Sequence, residues 1–106
     1  MGDATPGAIT TMIPADEPFF AGHFPGNPLV PGVVILEYVV AAIEQEFGAQ
    51  RALQRIDSVK FLGPLRPGDA LSIELEPASA VTVRFKCRCS DRPVAAGVLT
   101  LQPRTP

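Results

Sequence analysis

The sequence contains a single histidine, two cysteines, one tyrosine and no tryptophan. One histidine and a Cys-x-Cys pair do not make a metal-ligand set, so we expect neither a metal nor another cofactor. The pair, Cys87 and Cys89, lies in a strand-like run, where a direct disulfide between residues two apart would be strained. We therefore predict reduced thiols and a cytoplasmic protein.

An excess of positive charge is also missing, since nine Lys and Arg residues face eleven Asp and Glu residues. Without a basic excess or a cluster of aromatic and basic side chains, nucleic-acid binding is not expected. Residues 1–8 have neither the positive nor the apolar segment of a signal peptide, so none is predicted. The longest apolar stretch, 33–43, is interrupted by Glu37 and is too short to span a bilayer, so no membrane is expected.

The length of the chain predicts one domain over residues 1–106, with 1–7 as a loose tail. Pro31 is favoured at a first helical position and Gly48 at a helix end, so we predict a helix between them. Alternating apolar residues predict strands over 8–13, 56–61, 70–76, 81–90 and 94–101.

Short turns between the later strands predict antiparallel neighbours. The helix is apolar on nearly every face along its first three turns, which indicates burial. We therefore predict an α+β fold in which one antiparallel sheet wraps around one long central apolar helix. So small a chain can cover such a helix only with its sheet or with a second subunit.

One segment, His23 to Glu37, joins the only histidine to the only charged side chain in the apolar part of the helix. Three prolines and two glycines between them stiffen the connection. Each feature alone has an ordinary explanation: a histidine can cap a loop, a lone glutamate can bond to backbone, and Pro31-Gly32 can simply start a helix. Their joint spacing instead favours general acid–base chemistry.

These residues match a known family pattern. The segment resembles the active site of hotdog-fold 3-hydroxyacyl-[acyl carrier protein] dehydratases of the branch with a catalytic glutamate; it reads His23-Phe24-Pro25-Gly26-x-Pro28-x-x-Pro31-Gly32-Val33, then Glu37. A second stretch is similar to the family's strand-and-turn signature: Lys60-Phe61-x-x-Pro64-x-x-Pro67-Gly68-Asp69-x-Leu71. Phe19-Phe20-x-Gly22 also fits. The chain departs from the family in its short length and in Ala41, where a glutamine is common.

The resemblance implies a role for each matching residue. It makes His23 the base and Glu37 the acid, and it assigns the thioester oxygen to the N–H of Gly32, with Phe24 beside it. It also implies an acyl tunnel lined by Phe20, Pro31 and Val33.

Elementary chemistry agrees with the central roles. A neutral imidazole is available near pH 7 to take a proton. The apolar neighbours of Glu37 should desolvate its carboxyl group and keep it protonated, as a general acid requires. The N–H of Gly32 at the helix start has no intrahelical partner and no side chain in its way.

The implied reaction removes water from a 3-hydroxyacyl group on acyl carrier protein and gives the trans-2-enoyl thioester, as in fatty-acid, polyketide or polyene synthesis. A homodimer is expected, because family sites lie at the subunit interface, with a heterodimer or a larger oligomer left open. Arg51 and Arg66 are candidate carrier contacts. The arginine stripe, defined here as Arg84, Lys86 and Arg88, is either a solvated strand face or another such contact.

Other functions of the same fold stay open at this point. A hotdog thioesterase would release a free acid and a thiol. A coenzyme A-dependent hydratase would act on a different carrier of the acyl group. A non-catalytic helper subunit would act only beside a homologous chain, although the intact His23 and Glu37 argue against it.

Overall fold

The computed structural model of the chain describes residues 8–14, 29–48 and 52–103. Within these ranges the chain forms five strands and one helix. Their bounds are β1 Ala8–Met12, α1 Gly32–Phe47, β2 Leu53–Phe61, β3 Ala70–Pro77, β4 Thr82–Cys89 and β5 Arg92–Leu101. The predicted order of one strand, a long helix and four strands is confirmed.

The five strands form one antiparallel sheet in the order β1-β3-β4-β5-β2. Strands β3, β4 and β5 are sequential neighbours, as short turns require. Strands β1 and β2 lie at the two edges, on either side of the sequential strands. The helix packs against one face, and the predicted fold, an antiparallel sheet with one apolar helix against it, is confirmed.

Strand β4 follows the predicted alternation closely. Its even-numbered arginines and lysine are exposed, while Val83, Phe85 and Cys87 are buried. These three join one apolar core with residues of α1 and the other strands. The core comprises Ile13, Val30, Ile35, Val39, Ala42, Ile43, Leu65, Leu71, Ile73, Val83, Phe85, Cys87, Val94, Ala95, Leu99 and Leu101.

The helix begins one residue later than predicted. Pro31 has an extended ψ of 147° and is therefore the N-cap residue, whose carbonyl accepts from the N–H groups of Val34 and Ile35. At the other end Gly48 adopts a φ of 96°, which only glycine tolerates readily, and its N–H donates to the carbonyl of Glu44. The predicted glycine cap is confirmed.

Two strands begin earlier than predicted, because bulges interrupt the alternation of apolar and polar residues. Strand β2 starts at Leu53, but register shifts at Leu53/Arg55 and Ile56/Ser58 break its period. Strand β5 starts at Arg92, and its proline at 93 lies beside a shift at Cys87/Arg88 of β4. A proline inside a strand is typical of such irregular positions.

The helix is less enclosed than its composition predicts. Only Ile35, Val39, Ala42 and Ile43 are buried. The sheet covers one side of α1, and the described residues leave the opposite side open. Across the described ranges, no helix has both the length and the apolarity needed to cross a bilayer.

The two cysteines are free, and their surroundings differ. Burial raises the pKa of the Cys87 thiol from its ordinary 9.0 to about 12, whereas Cys89 is only half-buried. Thiolate is the reactive form. We expect an alkylating reagent to modify Cys89 in the native protein and Cys87 only after unfolding.

Peptide mapping of the labelled protein measures this difference, with Cys89→Ser as the matched control that should take up little label until denatured. The neutral Cys87 thiol contributes its full stabilisation below about pH 9, and this contribution falls as the pH rises toward about 12. Equal modification rates for both thiols in the native protein would contradict the assignment.

Candidate active site

The open side of α1 is apolar around Glu37 along its first three turns. Val33, Glu37 and Ala41, spaced four residues apart, are all exposed and form what we call the open stripe. Leu36 and Val40 beside it are only half-buried. Glu37 is therefore the only acid in the first three turns of α1, and the next one, Glu44, follows toward the end of the helix.

The predicted desolvation of Glu37 does not hold for a single chain. Its side chain is exposed, because the sheet covers the opposite side of the helix. Ala41, which stands where the family often has a glutamine, is exposed one turn later on the same stripe. A second surface would have to cover the stripe before the acid could lie in apolar surroundings.

The start of the helix offers backbone donors that no side chain of the described residues caps. Pro31 makes no side-chain capping bond, and the first turn of α1 contains no acidic residue. The first N–H groups of a helix lack intrahelical partners, so those of Gly32 and Val33 are available to an acceptor. Gly32 and Glu37 are five residues apart, about 7.5 Å along the axis at 1.5 Å per residue.

A turn between β2 and β3 packs against the segment that leads into α1. The N–H of Val30 donates to the carbonyl of Leu65 at 2.7 Å. The neighbouring Arg66 is exposed, and its backbone N–H donates to Oδ2 of Asp69 at 2.9 Å. Arg66 thus follows the residue whose carbonyl bonds to Val30 just before α1, and its guanidinium makes no ion pair within the described residues.

The geometry of this turn explains how Arg66 is held. The N–H of Asp69 donates to the carbonyl of Arg66. The second residue of this four-residue turn is a proline, and the third is Gly68 with a φ of 88°, which are the features of a type II turn. The Arg92 guanidinium reaches the carbonyl of Pro64 and lies 3.5 Å from Oδ2 of Asp69. Strand β5 therefore anchors the turn from one side.

The arginine stripe lies on the face of the sheet that points away from α1. Cross-strand carboxylates partly neutralise it, since Arg84 lies 3.8 Å from Glu76 and Arg88 lies 3.6 Å from Glu74. A surface depression of about 490 Å³ occupies this face, with Ala96 and Val98 among the residues that line it. It contains neither Gly32 nor Glu37, so it is separate from the candidate site.

Several predicted site residues lie outside the described residues, namely Phe20, His23, Phe24 and Arg51. Among the others, Pro31 and Gly32 lie at the start of α1. Val33 and Glu37 lie on the open stripe of the same helix. The resemblance includes Phe61 in its strand-and-turn signature but assigns no role to it; in the structure Phe61 packs on Gly32. Its place in that signature, at the end of β2 and just before a turn, is the signal that could have drawn attention to it.

Comparison with known proteins places these features in a family. Residues 3–102 match the ApeI-like family, described as ApeI dehydratase. The chain belongs to this family. The chain is also similar to a solved chain of the dehydratase heterocomplex ApeI:P from Xenorhabdus doucetiae, with a TM-score of 0.77 and 26% identity over 89% of this chain and 84% of that one. The hotdog fold implied by the sequence is thereby confirmed.

Curated relatives of this ApeI-like chain are 3-hydroxyacyl-[acyl-carrier-protein] dehydratases named FabZ. That of Caulobacter sp. (strain K31) is 38% identical over 81 residues, which cover 67% of this chain and 49% of the relative. That of Lactobacillus helveticus (strain DPC 4571) is 34% identical over 102 residues, covering 86% and 69%. The chain spans about half the length of the first of these relatives.

Proposed function

We propose that this chain dehydrates a 3-hydroxyacyl thioester carried by acyl carrier protein and yields the trans-2-enoyl thioester. The observation that carries the proposal is the position of Glu37 on the exposed, apolar face along the first three turns of α1. It lies close to the N–H groups at the start of the same helix, which no side chain of the described residues caps. Membership of a dehydratase family and the FabZ relatives support the same reaction.

The proposed reaction transfers one proton to His23 and one proton from Glu37. His23 removes a proton from C2, and the electrons of that C–H bond form the C2–C3 double bond. The C3–O bond breaks, and the leaving hydroxyl takes the proton of Glu37 and departs as water. The N–H of Gly32 donates to the thioester oxygen and stabilises the charge that develops there. No cofactor is required by these steps.

The proposed site is completed by a second copy of the chain. The open stripe and its half-buried neighbours form an apolar helix face that the sheet of the same chain does not cover. Two such faces packed about a two-fold axis would form two equivalent sites. Each site would then combine His23 of one chain with Glu37 of the other, and the acid would lie in apolar surroundings.

A heteromeric assembly is a second candidate, because the solved Xenorhabdus doucetiae relative is a heterocomplex. The native mass of this chain expressed alone separates the two assemblies. A dimer that turns over substrate by itself supports the homodimer. A monomer that becomes active only with a homologous partner supports the heteromer and the helper role.

The rival reactions are separated by the fate of the thioester. Intact-protein mass spectrometry of the carrier would show a mass lower by one water for dehydration and a bare carrier for hydrolysis. Comparing the carrier-bound substrate with the same acyl group on coenzyme A tests the hydratase alternative. We expect kcat/KM to favour the carrier, and we propose a cytoplasmic location, where such carriers are available.

We expect Arg66 to contact the acidic carrier at the mouth of the site. Arg66→Glu should raise KM for the carrier-bound substrate several-fold and should flatten its dependence on salt, because exposed charges are screened beyond about 10 Å at 0.1 M salt. Arg84→Glu is the matched control, since Arg84 lies on the other face of the sheet and already faces Glu76. Equal KM values for the two variants would argue against this contact.

A further inference from the structure

The aromatic ring of Phe61 lies directly over Gly32. Phe61 is the last residue of β2, and its ring is half exposed to solvent. A Cβ placed on Gly32 would lie 2.7 Å from Cζ of Phe61 and 3.0 Å from each Cε. These nearly equal distances mean that the face of the ring at Cζ, and not its edge, lies against the first residue of α1.

A side chain at position 32 would meet this ring. Gly48 and Gly68 have a positive φ, but Gly32 does not, so its backbone conformation is open to any residue. A Cβ at Gly32 would overlap the outer end of the Phe61 ring, so the ring would have to move to make room for it. The glycine at position 32 therefore allows the ring to pack directly on the start of the helix.

The backbone that carries the ring is held in place by the chain that follows it. The N–H groups of Leu62 and Gly63 both donate to the carbonyl of Val94, at 2.8 and 3.3 Å. Gly63 is so close to β5 that a Cβ there would lie 2.7 Å from the carbonyl oxygen of Pro93. Phe61 itself pairs with Ala95 of β5. The edge of the sheet thus fixes the backbone of this aromatic residue.

A second, independent contact joins the same two segments. The hydrogen bond from Val30 to Leu65 ties the approach to α1 to the turn after β2. The contact between Phe61 and Gly32 lies a few residues away along both segments. One hydrogen bond and one aromatic contact therefore hold the start of α1 against the edge of the sheet.

We propose that Phe61 is a positioning residue for the dehydration, acting through the N–H of Gly32. The inference rests on the proposed function. The ring holds the helix start at a fixed distance from the sheet and excludes water from one side of the donor. A donor kept in place and partly shielded from water stabilises a developing oxyanion better than a solvated one.

The test compares Phe61→Ala, Phe61→Tyr and Leu62→Ala with the wild type on a carrier-bound 3-hydroxyacyl substrate. Phe61→Ala should lower kcat by about tenfold or more with a smaller change in KM, because misplacing a catalytic donor slows the chemical step. Phe61→Tyr keeps the ring face on Gly32 and should retain kcat. Leu62→Ala is the matched control, since Leu62 is exposed to a similar degree and its removal leaves the contact intact.

Thermal unfolding supplies a readout that does not depend on turnover. Gly32→Ala should lower Tm in the wild-type background and lower it much less in the Phe61→Ala background, where space has been made for the new Cβ. Native mass should show the same assembly for all variants. If wild-type protein shows no dehydration, the proposed function fails, and the Tm comparison still decides whether the contact governs position 32.

Three results would overturn the inference. The first is a kcat for Phe61→Ala equal to that of Leu62→Ala. The second is the loss of assembly in Phe61→Ala alone, which would make Phe61 an interface residue. The third is an equal drop in Tm for Gly32→Ala in both backgrounds.

Discussion

Replacing Glu37 with glutamine is expected to reduce dehydration by about 10²–10⁴-fold, the usual contribution of a positioned acid or base. Glutamine keeps the shape and the hydrogen bonding of the side chain, but it cannot give a proton to the leaving hydroxyl. His23→Ala should cause a loss of the same order, because it removes the only imidazole in the chain.

The fold should survive the change at Glu37. The Glu37 side chain makes no ion pair within the described residues, and glutamine keeps its shape, so Tm should remain close to that of the wild type. Glu44→Gln is the matched control, since Glu44 is an exposed glutamate on the same helix. Steady-state turnover and thermal unfolding of the three variants measure the effect. Wild-type turnover in folded Glu37→Gln protein would show that Glu37 is not the general acid.

Mixing two inactive variants is expected to restore activity. If each site draws His23 from one chain and Glu37 from the other, a dimer of His23→Ala with Glu37→Gln contains one site with both lesions and one with neither. Half of randomly formed dimers are mixed, so about a quarter of all sites should be intact. If both residues come from one chain, every site keeps a lesion and no activity returns.

The experiment requires chain exchange by co-expression or by unfolding and refolding together. Native mass spectrometry confirms the mixed dimers, and each variant treated alone gives the background. An inactive mixture that contains mixed dimers would rule out the shared site, but it would not contradict the proposed dehydration. The open stripe along Val33, Glu37 and Ala41 is the surface on which this result depends.

Local patterns predicted most of the fold. The alternation along β4 identified its buried side, and Pro31 and Gly48 bounded the helix to within one residue. Where the pattern was interrupted, the prediction was incomplete. The predicted strand began at residue 56, whereas β2 begins at Leu53, because a bulge shifts the period on which alternation depends.

The surroundings of the candidate site were harder to predict. Apolar neighbours along the helix suggested a buried Glu37, yet composition does not say which surface covers a helix, and a single chain leaves this side open. The packing of Phe61 on Gly32 joins segments far apart in sequence. Such a contact depends on how the strands are arranged, which no local pattern contains.

The most direct measurement is a time course of the wild-type chain acting alone on 3-hydroxyacyl carrier protein. The thioester product is identified by mass spectrometry and by chromatography against trans-2 and cis-3 standards. We predict a trans-2-enoyl thioester, one water lighter than the substrate, that forms at a rate proportional to the enzyme and without a cis-3 isomer. An unchanged thioester, or a bare carrier with free acid, would contradict it.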